Sequence, residues 1–191
     1  MDFLVSNQHR FVWLTAIILF CSSLQGHADT SSGEFKLKAA FIFNFAKYVE
    51  WPNSSFSQQN EFCIATLGRS PLDKELAKLS GKIIQNRNVV FRQFNSIEET
   101  AQCQVLFISR SELGKQTSIA DFFRNTPVLT LSDKNDFSKS GVMLSLVDEN
   151  GKIVFDVNIQ EMHHARLKPN PQLLRLARNI YGRPSNEVFK P

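Results

Sequence analysis

Residues 35–51, FKLKAAFIFNFAKYVEW, place Leu37, Phe41, Ile42, Phe45, Tyr48 and Val49 on one broad face at helical spacing. Phe43 and Ala46 widen that face until the helix is apolar most of the way round, which predicts burial on several sides. Ser31-x-x-Glu34 has the form of a capping box that opens the helix at about Phe35. Trp51-Pro52 ends it, because the residue before proline is pushed out of the helical region. Three continuous apolar runs follow at intervals, FCIATLG, CQVLFIS and PVLTLS, with the β-rich VVFRQF between the first two. Between them lie short helical patterns: LDKELAKLS, opened by Ser70-Pro71 and stopped at Gly81, one turn at 97–101, and Ser118 to Arg124. Runs apolar at every position belong to strands covered on both faces, as in a parallel sheet between helices. After Gly141 the runs VMLSLV and KIVFDVNI flank Glu149-Asn150-Gly151, and Asn-Gly between two β-rich segments signals a hairpin. The predicted fold is α/β, a three-layer α/β/α sandwich whose mostly parallel sheet carries a C-terminal antiparallel hairpin. Beyond the break at Lys168-Pro169-Asn170-Pro171, PQLLRLARNIYG predicts a last helix with Leu173, Leu176, Ala177 and Ile180 on one face.

The N-terminus changes the compartment. Met1 to Arg10 is short and polar, Phe11 to Cys21 is an apolar run of 11 residues, and Ser22 to Ala28 ends in small residues at the spacing of signal peptidase. Eleven residues are too few for a bilayer, which takes roughly 20. A lipoprotein signal is disfavoured by Phe20 before Cys21, where a small residue is expected. The expected organisation is a signal peptide over 1–28 cleaved before Asp29, one domain over 29–182, and a loose tail over 183–191, with export out of the cytoplasm. The net charge of +4 is scattered without a long basic run, which argues against nucleic acid as a partner.

Export also changes the reading of the cysteines. Cys21 leaves with the signal peptide, and Cys63 and Cys103 remain, 40 positions apart. An even count in an oxidising compartment points to one disulfide, the alternative being two separate buried thiols. No cofactor or metal is implied. His163 and His164 are adjacent and so face different sides of a helix, where a metal pair wants i, i+4 spacing. The turn TLGRSP is neither a dinucleotide fingerprint nor a P-loop, and a capped helix start writes the same string. No nucleophile elbow and no catalytic triad emerge, so an enzyme is not expected.

KAAFIFNFAKYVEWP, FCIATLG, CQVLFIS, VLTLSD, IVFDVN and PQLLRLAR, in that order, resemble the YfiR family of small periplasmic proteins, over about Phe35 to Arg178. The resemblance implies a non-enzymatic regulator that binds the periplasmic sensor domain of an inner-membrane diguanylate cyclase and represses cyclic di-GMP synthesis. It also implies an outer-membrane-associated lipoprotein that draws the repressor away, control of biofilm formation, and a homodimer. A link to redox sensing through disulfides carries over to Cys63 and Cys103. Some members hold a second cysteine pair near the hairpin strands, whereas residues 142–158 here hold none.

Two functional surfaces are expected. Partner contact is assigned to the first helix and the segment from Met162 to Pro171, with Phe41, Phe45, Met162, His163 and Arg166 as candidates. Phe occurs 17 times in the chain, and its crowding in the first helix exceeds what one helix side buries. The alternative function is a periplasmic small-molecule receptor. Its pocket would lie at the carboxyl ends of the parallel strands near Arg69, Ser109 and Asp133, where open α/β sheets bind ligands.

Overall fold

The computed structural model describes residues 30–56 and 60–182. The expected signal peptide and the expected tail lie outside the described residues. Helix α1 spans Thr30–Tyr48, and the short strand β1, Val49–Glu50, follows it. Ser31 therefore sits inside the helix rather than at its cap. The cost of Gly33 in a helix, about 1 kcal/mol, is outweighed by the buried turns that follow. The chain then runs through β2 (Glu61–Leu67), α2 (Asp73–Ala77), β3 (Ile83–Ile84), β4 (Arg87–Phe94), β5 (Val105–Ile108), α3 (Gln116–Phe123) and β6 (Leu129–Ser132). It closes with β7 (Leu144–Glu149), β8 (Lys152–Asn158), α4 (Ile159–His164), β9 (Lys168–Pro169), α5 (Pro171–Leu176) and β10 (Asn179–Tyr181).

Eight strands form one sheet in the order β10-β8-β7-β6-β5-β2-β4-β3. The central pairs β4/β2, β2/β5, β5/β6 and β6/β7 are parallel, and β7/β8 is the expected antiparallel hairpin. Asn150 and Gly151 both take positive φ at its tip, as an Asn-Gly turn requires. Side chains alternate between the two faces. Phe62 and Ile64 of β2, Val105 and Phe107 of β5, and Leu129 and Leu131 of β6 pack with Ile42, Phe45 and Ala46 of α1. Ala65, Leu67, Leu106 and Ile108 face the other way and pack with Ile119 and Phe123 of α3. Two apolar layers on either side of one sheet make the three-layer sandwich.

Two local departures from expectation follow from tertiary pairing. The last helix stops at Leu176 instead of running to Ile180, and residues 179–181 become the edge strand β10, parallel to β8. The backbone N–H of Arg178 donates to the Phe155 carbonyl at 2.8 Å, and its guanidinium grips Asp156, a carboxylate fully buried under the sheet edge. A buried carboxylate needs that partner, so the segment is drawn out of helix. The second departure is a hairpin between β3 and β4, turned by Gln85 and Asn86 with φ of 49° and 61°. A further small ladder joins β1 to β9, Val49 opposite Pro169, and ties the end of α1 to the chain leaving α4.

Candidate functional site

The carboxyl ends of β2, β5 and β6 meet the first turns of α1. Lys38 lies four residues before Ile42 and seven before Phe45, and so on the buried face of the helix. Its side chain is 3 % exposed. The ammonium is held from two sides, by Glu34 Oε1 at 2.6 Å one turn earlier and by Asp133 Oδ2 at 2.9 Å just beyond β6. Arg110, just beyond β5, approaches the same carboxylate through Nε at 3.3 Å and Nη2 at 3.4 Å. The four groups thus form an alternating chain of charge, Glu34–Lys38–Asp133–Arg110. Burial pushes the Asp133 carboxyl up, but the hydrogen bond and charge of Lys38, and then of Arg110, outweigh it. The carboxyl sits below its ordinary value of 3.8.

These groups line a cavity of about 230 Å³ together with Phe35, Arg69, Ser70 and Pro71. The turn that carries Arg69 is shaped by Gly68, whose φ is +80° and where a Cβ would come within 2.4 Å of Ser109 Oγ. Only glycine allows the chain to pass so close. Ser70 then starts the next turn as a reciprocal cap. Its Oγ accepts from the Leu72 N–H at 3.2 Å, and its own N–H donates to Asp73 Oδ2 at 2.9 Å. Arg69 projects from this turn, exposed and without an acidic partner among the described residues.

Of the receptor residues expected from sequence, Arg69 and Asp133 therefore line one cavity. Ser109 is fully buried, within hydrogen-bond distance of Ser111 Oγ at 2.7 Å, and underlies the wall rather than the cavity. Sequence reasoning missed Glu34, Lys38 and Arg110. The available signal was a lysine placed on the core face of an otherwise apolar helix.

At the opposite end of the sheet Cys63 of β2 and Cys103 ahead of β5 form the expected disulfide. Both residues are buried. They tie two adjacent parallel strands just before their ladder begins at Ile64 and Val105.

The partner candidates divide by burial. Phe45 and Met162 are core residues, Phe45 at 4.8 Å from the Phe155 ring edge-on. Phe41 is half-buried against Phe45 and Phe155. His163 and Arg166 are exposed. Arg166 also holds φ at 59° where α4 ends, its N–H donating to the His163 carbonyl and the Leu167 N–H to the Met162 carbonyl. That is the position glycine usually fills in a helix C-cap. Leu37 and Tyr48 of α1 are exposed apolar side chains as well.

The fold and its two ends define a small α/β protein with one disulfide-tied sheet and a charged cleft over the carboxyl ends of its strands. The chain belongs to the YfiR/HmsC-like family, whose model matches residues 35–178. This is a family of periplasmic regulators tied to the cyclic di-GMP system, not a family of enzymes. No curated protein matches the sequence. Among solved structures the chain is similar to the ABC domain in complex with L-Trp from Streptococcus pneumonia, at 8 % identity and a TM-score of 0.45, over 62 % of this chain. The match spans 55 % of that chain, little more than half its length, and the likeness is too low to bear on fold or ligand here.

Proposed function

We propose that the protein is a periplasmic repressor that binds the sensor domain of an inner-membrane diguanylate cyclase and lowers cyclic di-GMP synthesis. Family membership over residues 35–178, nearly all of the α/β domain, is the observation that carries this reading. Arg166 supports the location of the contact. A side chain at a left-handed helix cap costs about 1 kcal/mol relative to glycine, and residues held in such strain cluster at functional sites. The exposed His163, Arg166 and Lys168 give that end of α4 a basic rim. Leu37 and Tyr48 offer an apolar strip on α1. An outer-membrane-associated lipoprotein would relieve repression by competing for the repressor, and a homodimer would be its working form.

Sedimentation of the exported protein with the isolated sensor domain of a candidate cyclase tests the contact. A complex is expected, weakened at least tenfold by Arg166→Glu, with unfolding free energy lowered by no more than about 1 kcal/mol, since the position is exposed and only the helix-end charge changes. An Arg166→Glu variant that binds as tightly as the native protein would remove this surface from the reading. A second function, a small-molecule receptor, is favoured by the charged cavity at the strand ends, where ligands of open α/β sheets bind. The two functions are compatible, since a bound ligand could bias partner affinity.

A further inference from the structure

We infer that the cavity over the carboxyl ends of β2, β5 and β6 is a binding site for a small organic oxyanion, a carboxylate or phosphate on a short apolar body, with Arg69 as its principal ligand. The inference rests on the receptor reading and gives it a ligand class.

Charge decides the sign of the ligand. Three cations and two carboxylates line the cavity. Lys38 is consumed by Glu34 and Asp133, at 2.6 and 2.9 Å, and Asp133 is shared further with Arg110. The alternating chain is neutral in itself, and its two carboxylates are already met by cations. The surplus is the Arg69 guanidinium, which has no acidic partner among the described residues. Arg110 adds to it. It is 71 % exposed on its side chain and engages Asp133 through Nε and Nη2 only, at long distances, so Nη1 remains free to donate. Two guanidinium edges on one cavity match the fork geometry of a carboxylate or phosphate. A cationic ligand would instead meet two arginines and find both acids occupied.

Size and lining decide the rest. The volume of about 230 Å³ falls below the roughly 300–1,000 Å³ of sites that enclose drug-sized ligands, so a metabolite-sized molecule fits better than a nucleotide. Phe35 and Pro71 add apolar surface to the lining. The cleft is also rigid where it needs to be. Lys38 and Asp133 lock α1 to the end of β6 across 95 residues of chain, and Gly68 fixes the turn that aims Arg69.

Calorimetric titration of the exported protein with benzoate, phenyl phosphate, inorganic phosphate and neutral benzamide tests the inference. Benzoate or phenyl phosphate is expected to bind and benzamide not, with affinity falling as salt is raised. Arg69→Gln is expected to weaken that binding at least tenfold, and Arg110→Gln by a smaller factor, both with unchanged thermal melting because neither side chain is part of the core. Benzoate alone would assign a carboxylate, and phenyl phosphate alone a phosphate monoester. Benzamide binding as well as benzoate, or an Arg69→Gln variant of native affinity, would overturn the anion assignment while leaving a receptor. Binding by none of the four would overturn the site itself.

Discussion

Lys38 is a lysine in a core position, and its two carboxylates are what make that position tolerable. Removing one partner of a buried ion pair leaves the other uncompensated, at a cost of about 3–5 kcal/mol. Lys38→Ala is therefore expected to lower unfolding free energy by about 3 kcal/mol in urea titration, whereas Lys38→Met combined with Asp133→Asn should recover most of that loss. The same pair sets an acid limit. Asp133 is held below 3.8 in the folded protein, so the unfolded chain takes up a proton first as pH falls. The stability this carboxylate contributes is complete above the unfolded value and is lost as pH drops through the lower folded one. Denaturation curves of the native protein and of Asp133→Asn should accordingly converge below about pH 4 and separate above it. Curves that stay parallel across that range would remove Asp133 as a stabilising anion.

Among the elements, β10 depends most on a single anchor. Its three residues pair with β8 beside the contact of Arg178 with Asp156 at 2.6 and 2.9 Å, with Glu149 as a second carboxylate and Asn179 Nδ2 donating to Asp156 at 2.9 Å. Arg178→Ala should cost about 3 kcal/mol and speed amide exchange at 179–181 and along β8 ahead of the rest of the sheet; uniform exchange across the sheet would show that the strand holds without its anchor. The same segment marks where sequence reading stops. The central strands were legible because FCIATLG, CQVLFIS and PVLTLS are predominantly apolar on both faces, and the β7/β8 hairpin because Asn150-Gly151 can take positive φ at little cost. Residues 171–180 carry helix-forming leucines and arginines, and the pull of a buried Asp156 is invisible without the fold. The β3/β4 hairpin was equally hidden, since Gln85-Asn86 lacks the glycine that signals such a turn. Within the cleft, Arg69 and Asp133 were readable as residues just past strand ends. Lys38 and Arg110 were not, because the pairing that gives Lys38 its meaning comes from 95 residues away.

On the scale of the whole molecule, the sheet has a tied end and an open end. The Cys63–Cys103 bond joins positions 40 apart in sequence, and chain-entropy arithmetic for that length gives about 4 kcal/mol. Cys63→Ser/Cys103→Ser should lose about that much stability, as should the native protein under reductant; equal stability of the two forms would exclude a structural role for the bond. The open end carries the charged cleft, and the end of α4 with its strained Arg166 carries the proposed partner contact. Family membership joins these features into a regulator of cyclic di-GMP signalling, and repression of a cyclase is the central claim built on it. The most direct test is the cellular level of cyclic di-GMP in cells with and without the gene, complemented by the exported protein. The level is predicted to rise on deletion and to return on complementation, and a level that does not move in either case would contradict repression.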